Sequence, residues 1–488
     1  MSKQVFVHIL GAFLLFGVPS RLTAQAKAPA VPLTLGGIHI SGSLRIRPEI
    51  WGWFDTPTAD PDYAYFASLL RLTLKQERKD WDWQVEFAQP LLANLPEQSI
   101  APAPQGQLGL GASYFAANGD STPLNLFLKQ GFVRAKGIFG DKPSSLRIGR
   151  MEFVDGAETT PKDPTLAALK RDRIAHRLLG NFAFSHVGRS FDGVQYARGT
   201  SNTNLTLLAA RATSGVFQVN GWGELDTDIL YGALTRSAGR KHAGEWRVFA
   251  LGYHDGRGVL KTDNRPAAAR AADHRNIRIT SVGGHVLQTV ATAAGTLDTL
   301  LWGAGQVGRW GVLDHRAGAL AVEAGFQPRL KFKPWLRCGY FYGSGDGNPN
   351  DGTHQTFFQV LPTPRIYARF PFYNLMNNRD AFAELLLRPH AKWTIRADAH
   401  TLRLSNKNDL WYLGGGAFQT STFGYAGRPS GGSASLANVY DVSVDYQVNT
   451  HLALTGYYAG AAGRTVIEKI YPSGGTGQFG YAELNWRF

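Results

Sequence analysis

Arginine at alternate positions is the recurring chemical feature of this chain. Arg45, Arg47 and Glu49 share one side of an extended segment, with Leu44 and Ile46 on the other. Arg71 and Lys75 repeat the arrangement across Thr73, and Arg134, Arg147, Arg198, Arg211 and Arg396 stand in further segments of the same kind. A guanidinium holds its donors in a planar fork that pairs two-handed with a carboxylate, and rings of such residues make a pore anion-selective. The carboxylates Glu49, Glu86, Glu152, Asp192, Asp398 and Asp445 lie in or beside the same segments. They can hold arginines in structural ladders that bind nothing, and for any single arginine this reading stands level with permeation. The surplus of bases carries the inference toward an anionic solute.

Three other groupings could do chemistry and are set aside. Ser190 and Ser344 would need a patterned histidine base to act as nucleophiles. His186 near Ser190 reads as loop polarity, so no catalytic residue is expected. Asp346-Gly-Asn348-Pro-Asn350-Asp351 has the oxygens of a cation loop, but Gly, Asn, Asp and Pro together build turns, and the turn is the reading taken. Neither a metal nor a cofactor is expected. Cys338 is the sole cysteine, which excludes an intramolecular disulfide, and it reads as a small residue on a strand.

The elements that must carry these arginines are strands. In 65–78, Leu70, Leu72 and Leu74 oppose Arg71, Thr73 and Lys75; in 81–90, Trp81, Trp83, Val85 and Phe87 oppose Asp82, Gln84 and Glu86. Segment 393–405 sets Thr394, Arg396, Asp398 and His400 against Ile395, Ala397 and Ala399. Segment 439–449 sets Asp441, Ser443, Asp445 and Gln447 against Val442, Val444, Tyr446 and Val448. With 42–54 these make five clean segments. Weaker alternation runs through 124–137, 144–153, 190–199, 203–217, 225–237, 244–257, 276–290, 297–311, 315–328, 334–346, 379–390, 451–462 and 478–488. Segments of about ten residues, apolar on one face and polar on the other, are the signature of a transmembrane barrel. About 18 strands are expected, with 16 also possible. The links alternate: Lys79-Asp80, 141–143 and 389–392 are short, whereas 91–123, 154–189, 258–275, 347–378 and 406–438 are long and rich in Pro, Gly, Asn and Ser. The one clear helix, 164–179, is amphipathic and Arg-rich and falls inside a long loop, where a packing role is preferred to a ligand-contacting lid.

Composition agrees. The 488 residues include 56 Gly and 12 Trp, and charged residues are only 18%, against about 25% in average soluble chains. Lys3, the apolar run Val5 to Val18 and Ala24-Gln25-Ala26 form a secretory signal over 1–26, too short to span a bilayer. Residues 27–41 are a short lead-in, which leaves no room for the plug domain of a ligand-gated active transporter. The last strand alternates Leu484, Trp486 and Phe488 against Glu483, Asn485 and Arg487, and outer-membrane barrels resemble it in closing on a terminal Phe. The net charge of +14 falls to +12 once Lys3 and Arg21 leave with the signal. Arg or Lys at the bilayer midplane costs about 2–4 kcal/mol, so the bases belong in the lumen, the loops or the interfaces. No Lys/Arg-dense patch suggests nucleic acid.

The motifs resemble the alginate export family of outer-membrane barrels over nearly all of residues 42–488. Leu146-Arg147-Ile148-Gly149-Arg150 resembles that family's LRIGRQ strand end, with Met151 in place of Gln. Arg189-Ser190-Phe191-Asp192-Gly193-Val194 matches its RSFDGV strand start, and Tyr342-Gly-Ser-Gly-Asp346 with Asn350-Asp351-Gly352 resembles its SGD…NDG loop. Leu361-Pro-Thr-Pro364, Asn377-Asn378-Arg379-Asp380 and Asp409-Leu-Trp-Tyr412 follow at similar spacing. The resemblance implies a monomeric 18-stranded barrel with an arginine-rich constriction that passes a polyuronate passively out of the periplasm. It carries over Arg147, Arg150, Arg189 and Asp192 as matched positions, Arg189 and Asp192 forming either a solute contact or a structural pair. A general or anion-selective diffusion porin, taking up small solutes or oligosaccharides, stays open as the alternative.

Overall fold

The computed structural model describes residues 33–238 and 243–488. The expected signal segment 1–26 lies outside the described residues. Alternating segments of 8 to 16 residues cannot bury one apolar face in isolation, and here they close edge to edge into one antiparallel barrel. Its strands are β1 (Ile38–Gly52), β2 (Asp62–Glu77), β3 (Trp81–Ala93), β4 (Phe127–Lys136), β5 (Ser144–Met151) and β6 (Phe191–Gly199). Next come β7 (Thr203–Thr213), β8 (Glu224–Ala238), β9 (Gly244–Asp255), β10 (Ile277–Ala291), β11 (Gly295–Trp310) and β12 (Leu313–Pro328). The circuit ends with β13 (Trp335–Gly343), β14 (Asn378–His390), β15 (Trp393–Leu404), β16 (Ser435–Gln447), β17 (Leu452–Gly463) and β18 (Thr476–Arg487). Each strand pairs with its neighbours in sequence. The ring shuts where β18 meets β1 in a register from Ser43↔Arg487 to Gly52↔Gln478, with Gly42 and Phe488 exchanging backbone hydrogen bonds of 2.9 and 3.0 Å. Closure leaves no unpaired edge in lipid.

All 18 expected segments fall on one strand each, which settles 18 over 16. The first strand starts at Ile38, four residues before the expected barrel boundary at 42, because Leu33–Leu35 folds back on Ile38–Ile40. Short links such as 78–80, 200–202, 292–294 and 391–392 gather with the C-terminus at one end, and the long loops gather at the other. Short periplasmic turns and long outer loops are the rule for such barrels.

Side-chain parity follows the sequence pattern. On β2, Tyr65, Ala67 and Leu69 are buried, while Phe66, Leu70 and Leu72 are exposed to the surroundings of the barrel. On β16, Asp441 and Ser443 are buried. The aromatic girdle at the short-turn end includes Trp393 stacked on Tyr446, with ring centroids 4.4 Å apart, and Trp486 beside Phe488 at 4.8 Å. Cys338 sits exposed on β13. No helix of the described residues is long and apolar enough to cross a membrane, a fact that does not bear on spanning by strands.

The loop-side half of the lumen is filled by the loops. Loops 344–377 and 405–434 send Phe370, Phe372 and Trp411 against Trp51, Phe54 and Phe479 of the β1 and β18 side, with Trp51 and Phe479 4.1 Å apart. Across the barrel, Phe357 reaches Trp302 and His354 stacks on Trp310 at 4.1 Å. These inward aromatics bury against loop side chains, so the core of this protein lies inside the barrel.

Candidate functional site

The expected helix over 164–179 is shorter than its pattern. Asp163 caps it by accepting from the Leu166 amide at 2.9 Å, and Pro164 occupies the first turn. The α-helix ends at Leu169, one π-helical turn covers Lys170–Ile174, and His176 at φ 70° breaks the run. The reason is where its bases go. This segment folds into the lumen, and Lys170, Arg173 and Arg177 are buried against the wall. Lys170 Nζ lies 2.7 Å from Glu245 on β9. Arg173 pairs with Glu384 on β14 and stands 3.8 Å from both Glu323 on β12 and Asp398 on β15. Arg177 donates to Tyr367 at 2.9 Å and reaches Glu323 at 3.5 Å. Arg337 on β13 completes the network by bridging Asp298 and Glu323. The amphipathic pattern therefore reports a plug whose polar face meets a polar wall. Packing, the preferred reading of this helix, is what the geometry contains.

The expected lumen arginines divide into three groups. The first lines the lumen. Arg45 donates to the carbonyls of Ala183, at 2.6 Å, and Ser185 of the plug loop. Arg47 is buried, bonded to Glu49 at 2.8 Å and to the Phe184 carbonyl at 2.7 Å, with its guanidinium 4.3 Å above the Phe184 ring. Arg71 donates to Glu86 at 2.7 Å and Glu152 at 2.8 Å. Arg134 forks onto Asp82 at 2.9 Å, and Arg147 lies 4.9 Å over Phe132 while donating to Gln195. Arg396 reaches Asp172 of the plug at 3.3 Å.

The second group faces the other way. Buried Met151 and Phe191 point inward, so their neighbours Arg150 and Asp192 stand on the outer face, paired at 2.6 Å. Arg211, opposite Asp192, lies outside too and bonds Asp228 at 2.9 Å. Arg198, next in phase with exposed Val194, sits at the short-turn rim 2.6 Å from Asp141. The lumen placement of Arg150, Asp192, Arg198 and Arg211 is corrected on this geometry. Arginine at strand ends tolerates the outer face because the penalty falls to about 0–1 kcal/mol near the interfaces.

The third group is Arg189 alone. It is fully buried and does not pair with Asp192. Its guanidinium donates to the carbonyls of Gly415 at 2.8 Å, Ala417 at 3.1 Å, Pro362 at 3.4 Å and Gly180 at 3.5 Å, pinning three loops together. Burial lowers its pKa to about 10. The neighbouring Gly149 of the LRIGR motif has φ 126°, and a Cβ there would stand 2.3 Å from the Gly131 carbonyl, so this strand crossing admits only glycine.

Sequence pattern alone passed over several lumen bases. Lys136 and Arg388 lie inward on β4 and β14 and keep water contact, and Arg171 is exposed on the plug. Arg388 was legible, two steps in phase from Glu384; Arg171 was not, because the plug's position in the barrel has no local signal. Arg365 and Arg369 come from loop 344–377. Arg365 lies 5.1 Å from the Phe184 ring, and burial brings its pKa down to about 10; Arg369 donates to Tyr481 at 2.6 Å. Above this level a cavity of about 390 Å³ is lined by Trp53, Phe182, Phe217, Arg365, Phe418 and Arg428. Arg365 thus borders both this cavity and the level of Phe184 and Arg47.

Two of the three set-aside groupings have local partners of their own. Ser190 Oγ donates to the Lys129 carbonyl at 2.6 Å, which leaves its hydroxyl proton engaged on the backbone. The 346–351 segment is a chain of Asx turns, with Asp346 accepting from Asn348 N at 3.0 Å and Asn348 accepting from Asn350 N at 3.1 Å. No cluster of three or more metal-ligating side chains occurs among the described residues.

Residues 113–467 match the family described as alginate export. The chain belongs to the alginate export family. Comparison with curated protein sequences gives no match. In fold, this family member is similar to solved outer-membrane proteins at low identity. OpdK of Pseudomonas aeruginosa with vanillate is 9% identical, with a TM-score of 0.54 over 92% of this chain and 98% of that one. OccK9 (OpdG) of Pseudomonas aeruginosa is 11% identical with a TM-score of 0.55, and OccAB4 of Acinetobacter baumannii is 8% identical with 0.52, each over 92% of this chain and 98% of the other. This member of the family is an 18-stranded barrel of the Gram-negative outer membrane, built as a channel.

Proposed function

We propose that this barrel is an anion-selective channel whose solute is an acidic polysaccharide of the polyuronate class, moved outward by passive diffusion. One observation carries the reading: charge is sorted by wetness. The carboxylates Glu49, Glu86, Asp82, Glu245, Asp298, Glu323, Glu384 and Asp398 are buried, most of them against bases of the wall or plug. The side chains that keep water contact in the short-turn half are mainly bases: Arg45, Arg71, Lys75, Arg134, Lys136, Arg147, Arg171, Arg388 and Arg396. Glu77, Glu152, Asp172, Asp445 and Glu483 are their acidic company in contact with water. A wet positive surplus between low-dielectric walls focuses an attractive field on anions.

Reversal potentials across planar bilayers under a salt gradient test this. Anions are expected to carry most of the current, and Arg45→Gln, Arg147→Gln and Arg396→Gln together should shift the ratio toward neutral with heat-modifiable migration unchanged. Oligouronates should block from the millimolar range downward, and neutral oligosaccharides of equal length should not. A cation-selective open channel refutes the reading.

A second reading has its own observation. The cavity of about 390 Å³ is at the small end of ligand pockets, about 300–1,000 Å³, which suits a single small acid better than a threaded polymer. A block that does not strengthen with oligouronate length would favour this small-solute porin.

A further inference from the structure

The outer face carries a second charge pattern, unrelated to the lumen. At the loop-side rim a row runs from strand to strand through directly opposed residues: Arg150↔Asp192, Asp192↔Arg211, Arg211↔Asp228, Asp228↔His254, His254↔Arg278, Arg278↔Arg309 and Arg309↔Asp314. From β5 to β9 it neutralises itself, through contacts of 2.6 Å for Arg150 and Asp192, 2.9 Å for Arg211 and Asp228, and 3.1 Å for His254 and Asp228. From β10 to β12 it does not. Arg278 opposes Arg309, and Arg316 follows two residues after Asp314 on the same face. Asp314, 2.6 Å from Arg309, is the one carboxylate that pairs there among the described residues. Arg278 and Arg316 are exposed and have no side-chain partner among the described residues.

Like charges directly opposed across strands are destabilising. Arg278 opposes Arg309, with Cβ atoms about 5 Å apart, and Arg316 is diagonal to Arg309 at about 7–8 Å. Arg278 and Arg316 flank β11 from two strands about 10 Å apart, and their long side chains can reach one anion lying over Arg309. Directly below them the outward surface turns apolar, with Val282, Val307, Leu320 and Val322 exposed. Glycines 305 and 318 have no side chains to fill the surface between these residues, and a groove runs there with Arg316 at its edge. Phosphate-sized positive charge above a shallow apolar trough, at the loop end of the lipid-facing band, is the complement of a phosphorylated lipid. The outer leaflet of this membrane presents lipid A, a phosphorylated sugar bearing acyl chains.

We propose that Arg278, Arg309 and Arg316 bind a phosphate of lipid A, with an acyl chain lying in the trough over Gly305 and Gly318. The phosphate replaces like-charge repulsion with charge-assisted hydrogen bonds. The site lies outside the conduction path and is independent of the solute the channel carries.

Native mass spectrometry of the full-length protein in mild detergent, after exchange of bound lipid, tests the assignment with two probes: diphosphorylated lipid A and the same lipid with both phosphates removed. The phosphorylated form should bind at least tenfold more tightly. Arg278→Ala with Arg316→Ala should lose that tenfold preference while keeping heat-modifiable migration and channel conductance. Arg379→Ala with Arg403→Ala, opposed on β14 and β15 of the same barrel, serves as the off-site control and should retain the preference. Equal binding of the two lipids, an unchanged double variant, or a dimer of the chain occupying the trough in place of lipid would each overturn the proposal.

Discussion

At the residue scale, the same side chain does three different jobs in this barrel. Arg71 or Arg147 keeps contact with water and presents charge to the lumen, Arg173 is spent on buried carboxylates, and Arg189 is spent on carbonyls. Alternation read from sequence identifies an arginine's phase but not its partner. Arg189 shows the gap most sharply, since its four acceptors lie 9 to 228 residues away in sequence. A buried acceptor stripped of its donor costs about 1–3 kcal/mol. Arg189→Ala is therefore expected to loosen the loops without opening the barrel. Limited proteolysis in detergent should show new cleavage in 152–190, 344–377 and 405–434, with heat-modifiable migration retained. An unchanged cleavage pattern would remove the latch assignment.

At the element scale, the loops behave as the core of the protein. The plug is held by buried ion pairs, and removing one partner of such a pair leaves an uncompensated charge at a cost of about 3–5 kcal/mol. Loops 344–377 and 405–434 meet at Asp346 and Asp409. Asp409 accepts from the Asp346 amide at 2.9 Å and from Thr356 at 2.6 Å, and burial raises Asp346 to about 7 and Asp409 to about 6. Asp263 and Asp351 add repulsion around Asp346. Both folded pKa values lie above the ordinary 3.8, so the packing gains stability from protonation. That stability is full below about pH 4 and is lost as pH rises through about 6 to 7. Loop-driven current flicker in single channels should increase from pH 5 to pH 8. Asp346→Asn with Asp409→Asn should flatten the dependence, and flicker that still tracks pH in the double variant would place its origin elsewhere.

At the scale of the whole molecule, a closed barrel whose wetted lumen carries a surplus of bases has two separable signatures. The polypeptide should fractionate with outer membranes and migrate faster on gels before boiling than after. Its anion preference should fall with salt, because the Debye length shrinks from about 10 Å at 0.1 M to about 3 Å at 1 M. A preference equally strong at both salts would mean that narrow contact, rather than the summed field of the lumen, selects the ion.

The period-2 pattern by itself determined the architecture. Lipid outside and polar surroundings inside act on every residue of a strand, so each of the 18 strands wrote its own position into local sequence, and parity from Leu70 to Asp441 followed. The pattern failed at strand ends. Arg150, Asp192, Arg198 and Arg211 fell on the outer face because the penalty for charge vanishes at the interfaces, where either phase is allowed. The plug was visible as an Arg-rich helical pattern over 164–179, but its seat against Glu245, Glu323 and Glu384 was not. Only the closed tertiary structure decided which bases are neutralised and which remain wet, since that depends on carboxylates brought from distant strands to one point inside the barrel.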